Sequence, residues 1–317
     1  MKNVKKDGFD QLALELFEYQ AKNNPTYKEY LSDICVNSDG INSVENIPFL
    51  PIELFKKHAV KTHDWKEEFV FESSGTSGEA RSRHYVHDLD FYKFLTNKNF
   101  QKEFGPIDKL EIYALLPSYQ EQGNSSLITM VDHIMADSRR FGYYLDDYKS
   151  LQQELESALH RNSKVILFGV GYALLDFANS ANTQFEGLKI IETGGMKGRR
   201  EEITRPQFYQ QLRDQLGNVR IHSEYGMTEL FSQAYSTDSG LLRCAPQMKV
   251  IIRDLHDPFS LVPNTKTGQI NVIDLANVHS CCFIETSDIG RQDELGDFEV
   301  LGRKDNSDIR GCNLMVD

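Results

Sequence analysis

The sequence predicts an α/β fold with mostly parallel, twisted sheets, flanking helices and a smaller antiparallel β-rich subdomain. Apolar runs of strand length alternate with helical patterns between residues 110 and 222, and this alternation implies right-handed crossovers between parallel strands. After residue 240 the runs become short, β-branched and separated by turns, which is typical of antiparallel strands. We therefore predict an α/β core over 1–240 that includes an N-terminal helical segment, a β-rich subdomain of the same unit over 241–301, and a hinge-like tail over 302–317.

The predicted elements follow in chain order. Apolar residues at helical spacing predict a helix over 8–31 with a break at Pro25, and Pro48 and Pro51 predict an extended segment. The strands predicted in the core are 110–116, 164–168, 189–192 and 219–222. The helices predicted in the core are 126–136, 172–178 and 201–215. The strands predicted in the β-rich part are 248–253, 268–275, 281–285 and 298–301.

Composition and charge narrow the class of function. The chain has 317 residues, of which 40% are hydrophobic and 26% charged, as in ordinary globular proteins. Its net charge of -12 opposes phosphate backbones and anionic lipid surfaces, and no run reaches the ~20 apolar residues of a membrane span. Five cysteines without a C-x-x-C pair, and a basic start without an apolar run, predict a reduced cytoplasmic protein. We expect no nucleic-acid partner and no membrane insertion.

A polar, glycine-rich loop follows the apolar run 69–71. Its glycines let the backbone approach an anion, and its N–H and hydroxyl groups can donate to phosphate oxygens. It is not a Walker A loop, because no Gly-Lys-Ser/Thr follows. By composition alone a surface turn is the more frequent explanation. The candidate phosphate-binding residues are Ser73, Ser74, Gly75, Thr76, Ser77 and Gly78.

Two further polar turns follow predicted parallel strands, which is where such sheets bind ligands. Gly194 and Gly195 follow the strand 189–192, and the absence of side chains there lets a planar ring lie against the backbone. Tyr225, followed by Gly226, can stack on a base. Taken one at a time, Gly194-Gly195 can also be explained as a tight turn, and the segment around Tyr225 is more simply explained as a strand-to-helix turn.

The remaining candidates carry hydroxyl, carboxylate, guanidinium and thiol groups. Thr228 can donate to a phosphate oxygen, and Glu229 is the type of ligand that Mg²⁺ takes together with phosphate oxygens. Asp288 can accept from two ribose hydroxyls, and Arg303 lies in a Gly-Arg-Lys-Asp segment. The alternatives are a helix cap at 228–229 and an Asx turn at Asp288. Cys312 is a candidate nucleophile or an inert thiol in the tail.

Taken in order, these motifs resemble the core motif series of the adenylate-forming superfamily, which includes acyl-CoA synthetases, peptide-synthetase adenylation domains and luciferases. A narrower similarity connects the chain to acyl-protein synthetases of the LuxE type. The segments that carry it are 17–20, 47–52, 71–78, 123–127 and 309–312. The resemblance implies the N-terminal-domain fold of these enzymes, ATP and Mg²⁺ as cofactors, and an acid–thiol ligase that activates a carboxylic acid, with a fatty acid as the expected class.

The resemblance also implies roles for the candidate residues. Residues 73–78 would hold the β- and γ-phosphates. Gly194 and Gly195 would line the adenine, Tyr225 would stack on it, and Gly226 would belong to the same nucleotide site. Thr228 and Glu229 would handle the α-phosphate and Mg²⁺. Asp288 and Arg303 would hold the ribose. Cys312 would accept the acyl group and pass it to an acyl-accepting protein such as a reductase.

One departure from the superfamily leaves alternatives open. Most members carry a C-terminal domain with a lysine that stabilises the adenylation transition state, and we expect this sequence to stop about where that domain would begin. Another cation is then expected to serve, with Arg83, Arg199, Arg303 and Lys304 as candidates. Two other functions remain possible on these grounds: an acyl-CoA ligase and a non-catalytic nucleotide-binding relative.

Overall fold

The computed structural model describes residues 6–73, 80–116, 123–194, 203–236 and 240–304. The chain divides into two compact units that interleave in sequence. Among the described residues, unit 1 takes those up to Tyr92, Met227–Ala234 and those from Leu241 onward, and unit 2 takes Lys93–Gly226 with Tyr235–Gly240. The sequence instead predicts consecutive domains with boundaries at 240 and 301, and that division stays a prediction.

The helices and strands of the described residues are numbered in chain order. The helices are α1 (Lys6–Asn23), α2 (Pro25–Asp33), α3 (Leu54–Lys57), α4 (Leu89–Phe104), α5 (Ser126–Ala136), α6 (Tyr148–His160), α7 (Gly171–Ser180) and α8 (Arg205–Leu216). The strands are β1 (Leu50–Pro51), β2 (Phe69–Glu72), β3 (Arg83–Val86), β4 (Leu110–Leu115), β5 (Arg140–Tyr143), β6 (Lys164–Val170), β7 (Lys189–Thr193), β8 (Arg220–Tyr225), β9 (Ala234–Ser236), β10 (Leu242–Cys244), β11 (Met248–Arg253), β12 (Gly268–Asp274), β13 (Phe283–Gln292) and β14 (Phe298–Arg303).

Unit 2 is built on a parallel sheet with the strand order β5-β4-β6-β7-β8. Every residue of β4 is buried, as is every residue of β6 after Lys164. Continuous apolar strands of this kind are typical of parallel sheets whose two faces are both covered. The predicted parallel α/β sheet is confirmed, and its strands direct their carboxyl ends toward Thr193 and Tyr225.

Unit 1 contains an antiparallel sheet with the order β11-β12-β13-β14-β10, and β1 pairs in parallel with β13. Strands β2 and β3 form a separate antiparallel pair. The predicted antiparallel subdomain is confirmed. The alternative explanation of Asp288 as an Asx turn is wrong, because β13 extends past the predicted strand 281–285 and continues to Gln292. The strand continues because Thr286, Asp288 and Gly290 alternate on its buried face. A Cβ at Gly290 would lie only 2.2 Å from the Glu299 carbonyl oxygen, so this strand position requires glycine.

Two of the segments that carry the narrower family similarity, 17–20 and 47–52, lie in the core of unit 1. The Gln20 side chain donates to the carbonyls of Asn277, Val278 and Ser280 and accepts from the Cys282 N–H. The Arg253 guanidinium donates to the carbonyls of Glu45, Ile47 and Pro258. These side chains tie the N-terminal segments to the antiparallel sheet, which gives residues 17–20 and 47–52 a packing role.

Two cysteines lie in the core of unit 1. Cys281 and Cys282 are fully buried, and burial raises the pKa of the Cys281 thiol to about 12. In the part of the chain that the structure describes, no helix combines the length and apolar character needed to cross a bilayer.

Candidate functional site

The candidate residues of unit 2 follow two neighbouring parallel strands. Gly194 comes directly after β7 and has a φ of +70°, in the left-handed region that favours glycine. Tyr225 is the last residue of β8 and is 8% exposed, and the exposed Gly226 follows it. Gly195 lies outside the described residues. Gly194 and Tyr225 therefore occupy the edge of the sheet where α/β proteins bind ligands.

A hydrogen-bond network joins the ends of these two strands. Glu192 lies opposite Ser223 in the β7–β8 register, and the Ser223 hydroxyl donates to the Glu192 carboxylate at 2.9 Å. One residue further on, the Thr193 hydroxyl donates to the Glu224 carboxylate at 2.6 Å. The Tyr209 hydroxyl is hydrogen-bonded to that of Ser223 at 2.7 Å. These cross-strand bonds fix the backbone that carries Gly194 and Tyr225.

The Glu224 carboxyl is the most strongly perturbed acid of this network. Burial raises its pKa to about 7; the hydrogen bond from Thr193 opposes this change, and the nearby Glu192 charge adds to it. Neither Glu192 nor Glu224 was predicted as a site residue from the sequence. The available signal was a glutamate beside a hydroxyl residue at the end of two adjacent predicted strands, in Glu192-Thr193 and in Ser223-Glu224.

In unit 1, Thr228 and Glu229 form a turn closed by a bond from the Leu230 N–H to the Met227 carbonyl at 3.1 Å. No helix begins in residues 227–236, which lead into β9. The alternative explanation of these residues as a helix cap is therefore wrong. The Glu229 side chain is buried, with 5% of its surface exposed, and Thr228 is half-buried.

Side chains from other parts of unit 1 hold the main chain of this turn. His84 Nδ1 is hydrogen-bonded to the Thr228 carbonyl at 2.8 Å, and Asn277 Nδ2 donates to the Glu229 carbonyl at 2.9 Å. The Asp274 carboxylate then accepts from the next main-chain N–H groups, those of Phe231 and Ser232, at 2.8 Å each. Sequence reasoning missed these three side chains, since nothing local marks them as partners of the turn.

His84 is neutral in this environment. Burial lowers its pKa to about 4, although the hydrogen bond to the Thr228 carbonyl acts in the opposite direction. A carbonyl can only accept, so Nδ1 carries the proton and donates it. Within the described residues, the other ring nitrogen, Nε2, has no hydrogen-bond partner.

The structure brings residues from several predicted motifs together in unit 1. Burial raises the pKa of the Glu229 carboxyl, while a bond from Ser82 and the Arg303 charge lower it and the Asp288 charge raises it. Arg303 lies opposite Asp288 in the β13–β14 register, and its Nε donates to the Asp288 carboxylate at 2.9 Å. Asp288 is only 6% exposed. Glu229, Asp288 and Arg303 thus form one electrostatic group.

Ser82 connects this group to the glycine-rich loop. The Ser73 N–H donates to the Ser82 carbonyl, and the Ser82 N–H donates to the Ser73 hydroxyl, both at 3.0 Å. These two bonds close the base of the loop between β2 and β3. The other predicted phosphate-binding residues, Ser74, Gly75, Thr76, Ser77 and Gly78, lie outside the described residues. Cys312 lies outside them as well.

The carboxylates of unit 1 fit a magnesium ion that is shared with phosphate groups. Among the residues that the structure describes, no group of three or more His, Cys, Asp or Glu side chains could hold a metal alone. Mg²⁺ commonly takes one or two protein carboxylates and completes its shell with phosphate oxygens and water. Glu229 is a buried carboxylate that a cation would stabilise in its charged form. The donor set therefore fits this mode of binding, with Glu229 as the protein ligand.

Comparison with known proteins gives a match in structure but none in sequence. No protein-family model and no curated protein matches the chain. It is similar to 2-hydroxyisobutyryl-CoA ligase in complex with 2-HIB-AMP and CoA, with a TM-score of 0.71 and 12% identity over 96% of this chain and 71% of that one. ATP-bound MatB from Rhodopseudomonas palustris gives a TM-score of 0.55 at 17% identity, over 74% of this chain and 47% of that one.

A third similar structure is the amide bond synthetase McbA from Marinactinospora thermotolerans, with a TM-score of 0.51 and 17% identity over 75% of this chain and 49% of that one. The chain thus spans less than half the length of MatB and McbA. At such low identities the similarity is one of fold. The chain has an α/β fold similar to that of these enzymes, and the predicted fold class is confirmed.

Proposed function

We propose that this protein uses ATP to activate a carboxylic acid as an acyl-adenylate. The observation that carries the proposal is the grouping of Glu229, Asp288 and Arg303 with Ser82 in unit 1. These residues come from motifs far apart in the sequence. The group supplies a carboxylate for a metal and a cation for the charge that develops on the phosphate. Its member Ser82 is also hydrogen-bonded to Ser73 at the base of the glycine-rich loop.

Each candidate residue receives a role in binding ATP and Mg²⁺. Residues 73–78 hold the β- and γ-phosphates through hydroxyl and N–H donors. Gly194, Gly195 and Gly226 line the adenine, on which Tyr225 stacks. Asp288 accepts from the ribose hydroxyls, and the bond from Arg303 fixes the orientation of its carboxylate.

In the first step a carboxylate oxygen of the substrate attacks the α-phosphorus in line. The bond from that phosphorus to the bridging oxygen breaks, and pyrophosphate leaves with the electron pair. Thr228 donates to an α-phosphate oxygen and Arg303 offsets the charge that develops, since catalysis of this kind is mainly positioning and charge neutralisation. A magnesium ion held by Glu229 and the phosphates would neutralise further charge.

In the second step a thiolate attacks the acyl carbon, and AMP leaves. We assign this thiol to Cys312, with transfer to an acyl-accepting protein such as a reductase, and a fatty acid as the acyl donor, as in acyl-protein synthetases of the LuxE type. The two buried cysteines, Cys281 and Cys282, are unsuited to this role, which favours a different cysteine. Burial raises the pKa of Cys281 to about 12 and that of Cys282 well above its ordinary value, so both stay protonated and unreactive.

A second candidate function is acyl-CoA synthesis, in which free coenzyme A supplies the thiol. It is favoured by the similarity to a 2-hydroxyisobutyryl-CoA ligase whose structure contains CoA. The two functions share the adenylation step and the residues proposed for it. They differ in whether the acyl group ends on the protein or on a small molecule.

The test is to incubate the full chain with ATP, Mg²⁺ and a panel of aliphatic and aromatic acids and to detect acyl-AMP by mass spectrometry. We expect acyl-AMP from at least one acid. With that acid radiolabelled, the acyl-protein function predicts a thioester-bound label that Cys312→Ser abolishes, and Cys35→Ser is the control because Cys35 is an exposed thiol. A CoA-dependent thioester that is unaffected by Cys312→Ser supports the second function instead. Folded protein that forms no acyl-AMP with any acid refutes both.

A further inference from the structure

The Thr228–Glu229 turn depends on side chains that lie far from it in the sequence. Two consecutive carbonyls, those of Thr228 and Glu229, accept from His84 and Asn277. Both donor side chains are 1% exposed. A buried carbonyl without a donor is unfavourable, so the turn and its two partners are coupled energetically.

The elements that carry these partners hold them rigidly. His84 is in β3, where its ring packs against Phe55 and Phe231 with centroid distances of 6.0 Å and 5.0 Å. Asn277 follows β12, and its main-chain N–H donates to the Asp274 carbonyl at 3.0 Å. Asp274 in turn holds the N–H groups of Phe231 and Ser232. The turn is therefore fixed on its carbonyl side and on its N–H side by groups that are themselves fixed.

We propose that His84 and Asn277 are positioning residues, which hold the main chain of Thr228 and Glu229 in the geometry that adenylation requires. This inference rests on the proposed function, because it takes Thr228 and Glu229 as the groups that touch phosphate and metal. Neither His84 nor Asn277 contacts substrate; each acts through one carbonyl of the turn. A small misplacement of such groups lowers the rate of the chemical step more than it weakens substrate binding.

The His84 side chain allows a matched pair of variants. His84→Asn keeps a donor in the place of Nδ1 and loses Nε2, which has no partner among the described residues. His84→Leu removes the donor and keeps an apolar side chain of similar bulk. For the other carbonyl, Asn277→Asp keeps the shape and replaces the donating amide nitrogen with an oxygen that can only accept.

A half-buried histidine with the same kind of bond, His222, supplies the control in unit 2. His222 Nδ1 is hydrogen-bonded to the Ser236 carbonyl at 3.0 Å, and its Nε2 also has no partner within the described residues. His222→Leu therefore deletes the same kind of bond, but the carbonyl concerned is in β9 and not in the turn. A purely structural role predicts similar losses of activity for His84→Leu and His222→Leu.

The experiment measures acid-dependent ATP–pyrophosphate exchange, with kcat and KM determined separately for ATP and the acid. We expect kcat to fall about tenfold to a hundredfold in His84→Leu and Asn277→Asp, with the KM of the acid unchanged. His84→Asn should stay within about threefold of wild type, and so should His222→Leu. Because both partners act on one turn, the double variant His84→Leu/Asn277→Asp should lose about as much as either single variant.

Hydrogen–deuterium exchange of residues 227–232 separates this inference from the proposed function. We expect faster exchange in this segment for His84→Leu and Asn277→Asp, and wild-type exchange for His84→Asn, whether or not the protein adenylates an acid. An inactive wild type with this exchange pattern would overturn the proposed function and leave the turn contacts intact. Active protein in which His84→Leu keeps its kcat, or loses no more than His222→Leu, would overturn the positioning role. If His84→Leu does not fold, the comparison of Asn277→Asp with His84→Asn decides the question in the same way.

Discussion

The two units position their candidate residues by different means. In unit 2, Gly194 and Tyr225 owe their places to regular backbone, because each follows or ends one of two adjacent parallel strands. In unit 1, Thr228 and Glu229 lie in an irregular turn whose carbonyls are held by the side chains of His84 and Asn277. A sheet edge tolerates the loss of a single side chain, whereas a turn held by two side chains should not.

The two units also differ in the charges that surround their buried carboxyl groups, Glu224 in unit 2 and Glu229 in unit 1. Within the described part of the chain, Thr193 is the side chain that donates to the Glu224 carboxyl in unit 2, next to the like charge of Glu192. The Glu229 carboxyl in unit 1 belongs to a more deeply buried residue, and its neighbours include the cationic Arg303. Burial raises the pKa of both carboxyls, and of the two only Glu229 has a cationic neighbour, Arg303, that opposes the rise.

The largest expected effect is that of Glu229→Gln on activity. The amide keeps the shape of the side chain and removes the charge that binds the metal, so acid-dependent pyrophosphate exchange should fall by about a hundredfold or more. Because burial raises the pKa of Glu229, the neutral variant should be at least as stable as wild type in urea unfolding at pH 8. A variant that keeps wild-type exchange would show that Glu229 holds no metal, and one that is strongly destabilised would contradict the account of its burial.

The next effect concerns Glu224→Gln and the pH dependence of stability. The carboxyl has a pKa of about 7 in the folded protein against an ordinary value of 4.5. The folded state therefore retains a proton that the unfolded state releases, and wild-type stability should decrease as the pH rises from about 4.5 to 7. The glutamine variant should lack this decrease and exceed wild type by roughly 1 to 3 kcal/mol at pH 8, with little difference at pH 4.

Urea unfolding followed by circular dichroism at pH 4, 6 and 8 measures this difference. Glu186→Gln provides the control, because Glu186 is an exposed glutamate of the same unit. Equal pH profiles for wild type and Glu224→Gln would contradict the assignment of a raised pKa to Glu224.

The smallest effect tests the backbone of the sheet edge. Gly194 has a φ of +70°, so Gly194→Ala should destabilise the protein by about 1 kcal/mol through backbone strain. Gly40→Ala should change stability by less than about 0.5 kcal/mol, because Gly40 is exposed and a Cβ there meets no atom within 4 Å. Equal unfolding midpoints for the two variants in urea would contradict the positive φ of Gly194.

Much of the fold could be predicted because local signals and tertiary packing agree. Strand β11 and helix α5 have the predicted bounds, and Ser125 caps α5 by accepting from the Ile128 N–H. Helix α6 was missed although Leu151, Leu155 and Ala158 recur at helical spacing on its buried face. Strand β3 was not predicted. The burial of alternate residues in this strand arises from its pairing with β2, and the sequence alone does not indicate that pairing.

The residues of the candidate site also divide into those that local sequence signals predict and those that only tertiary contacts place. The positions of Gly194 and Tyr225 could be predicted because the carboxyl ends of parallel strands meet at one edge. The predicted strand 281–285 ends too early, because Thr286 and Asp288 are polar yet lie on the buried face of β13. His84, Asp274 and Asn277 could not be predicted as partners of the Thr228–Glu229 turn, since side-chain bonds to distant main-chain atoms leave no periodic pattern in the sequence.

The most direct test of the account is the exchange of radiolabelled pyrophosphate into ATP by the wild-type chain in the presence of Mg²⁺ and a series of carboxylic acids. The account predicts that label enters ATP only when a suitable acid is present, and that chelation of Mg²⁺ abolishes the incorporation. Folded protein that incorporates no label with any acid, or that incorporates it equally without acid, would contradict the assignment of this chain to acid activation.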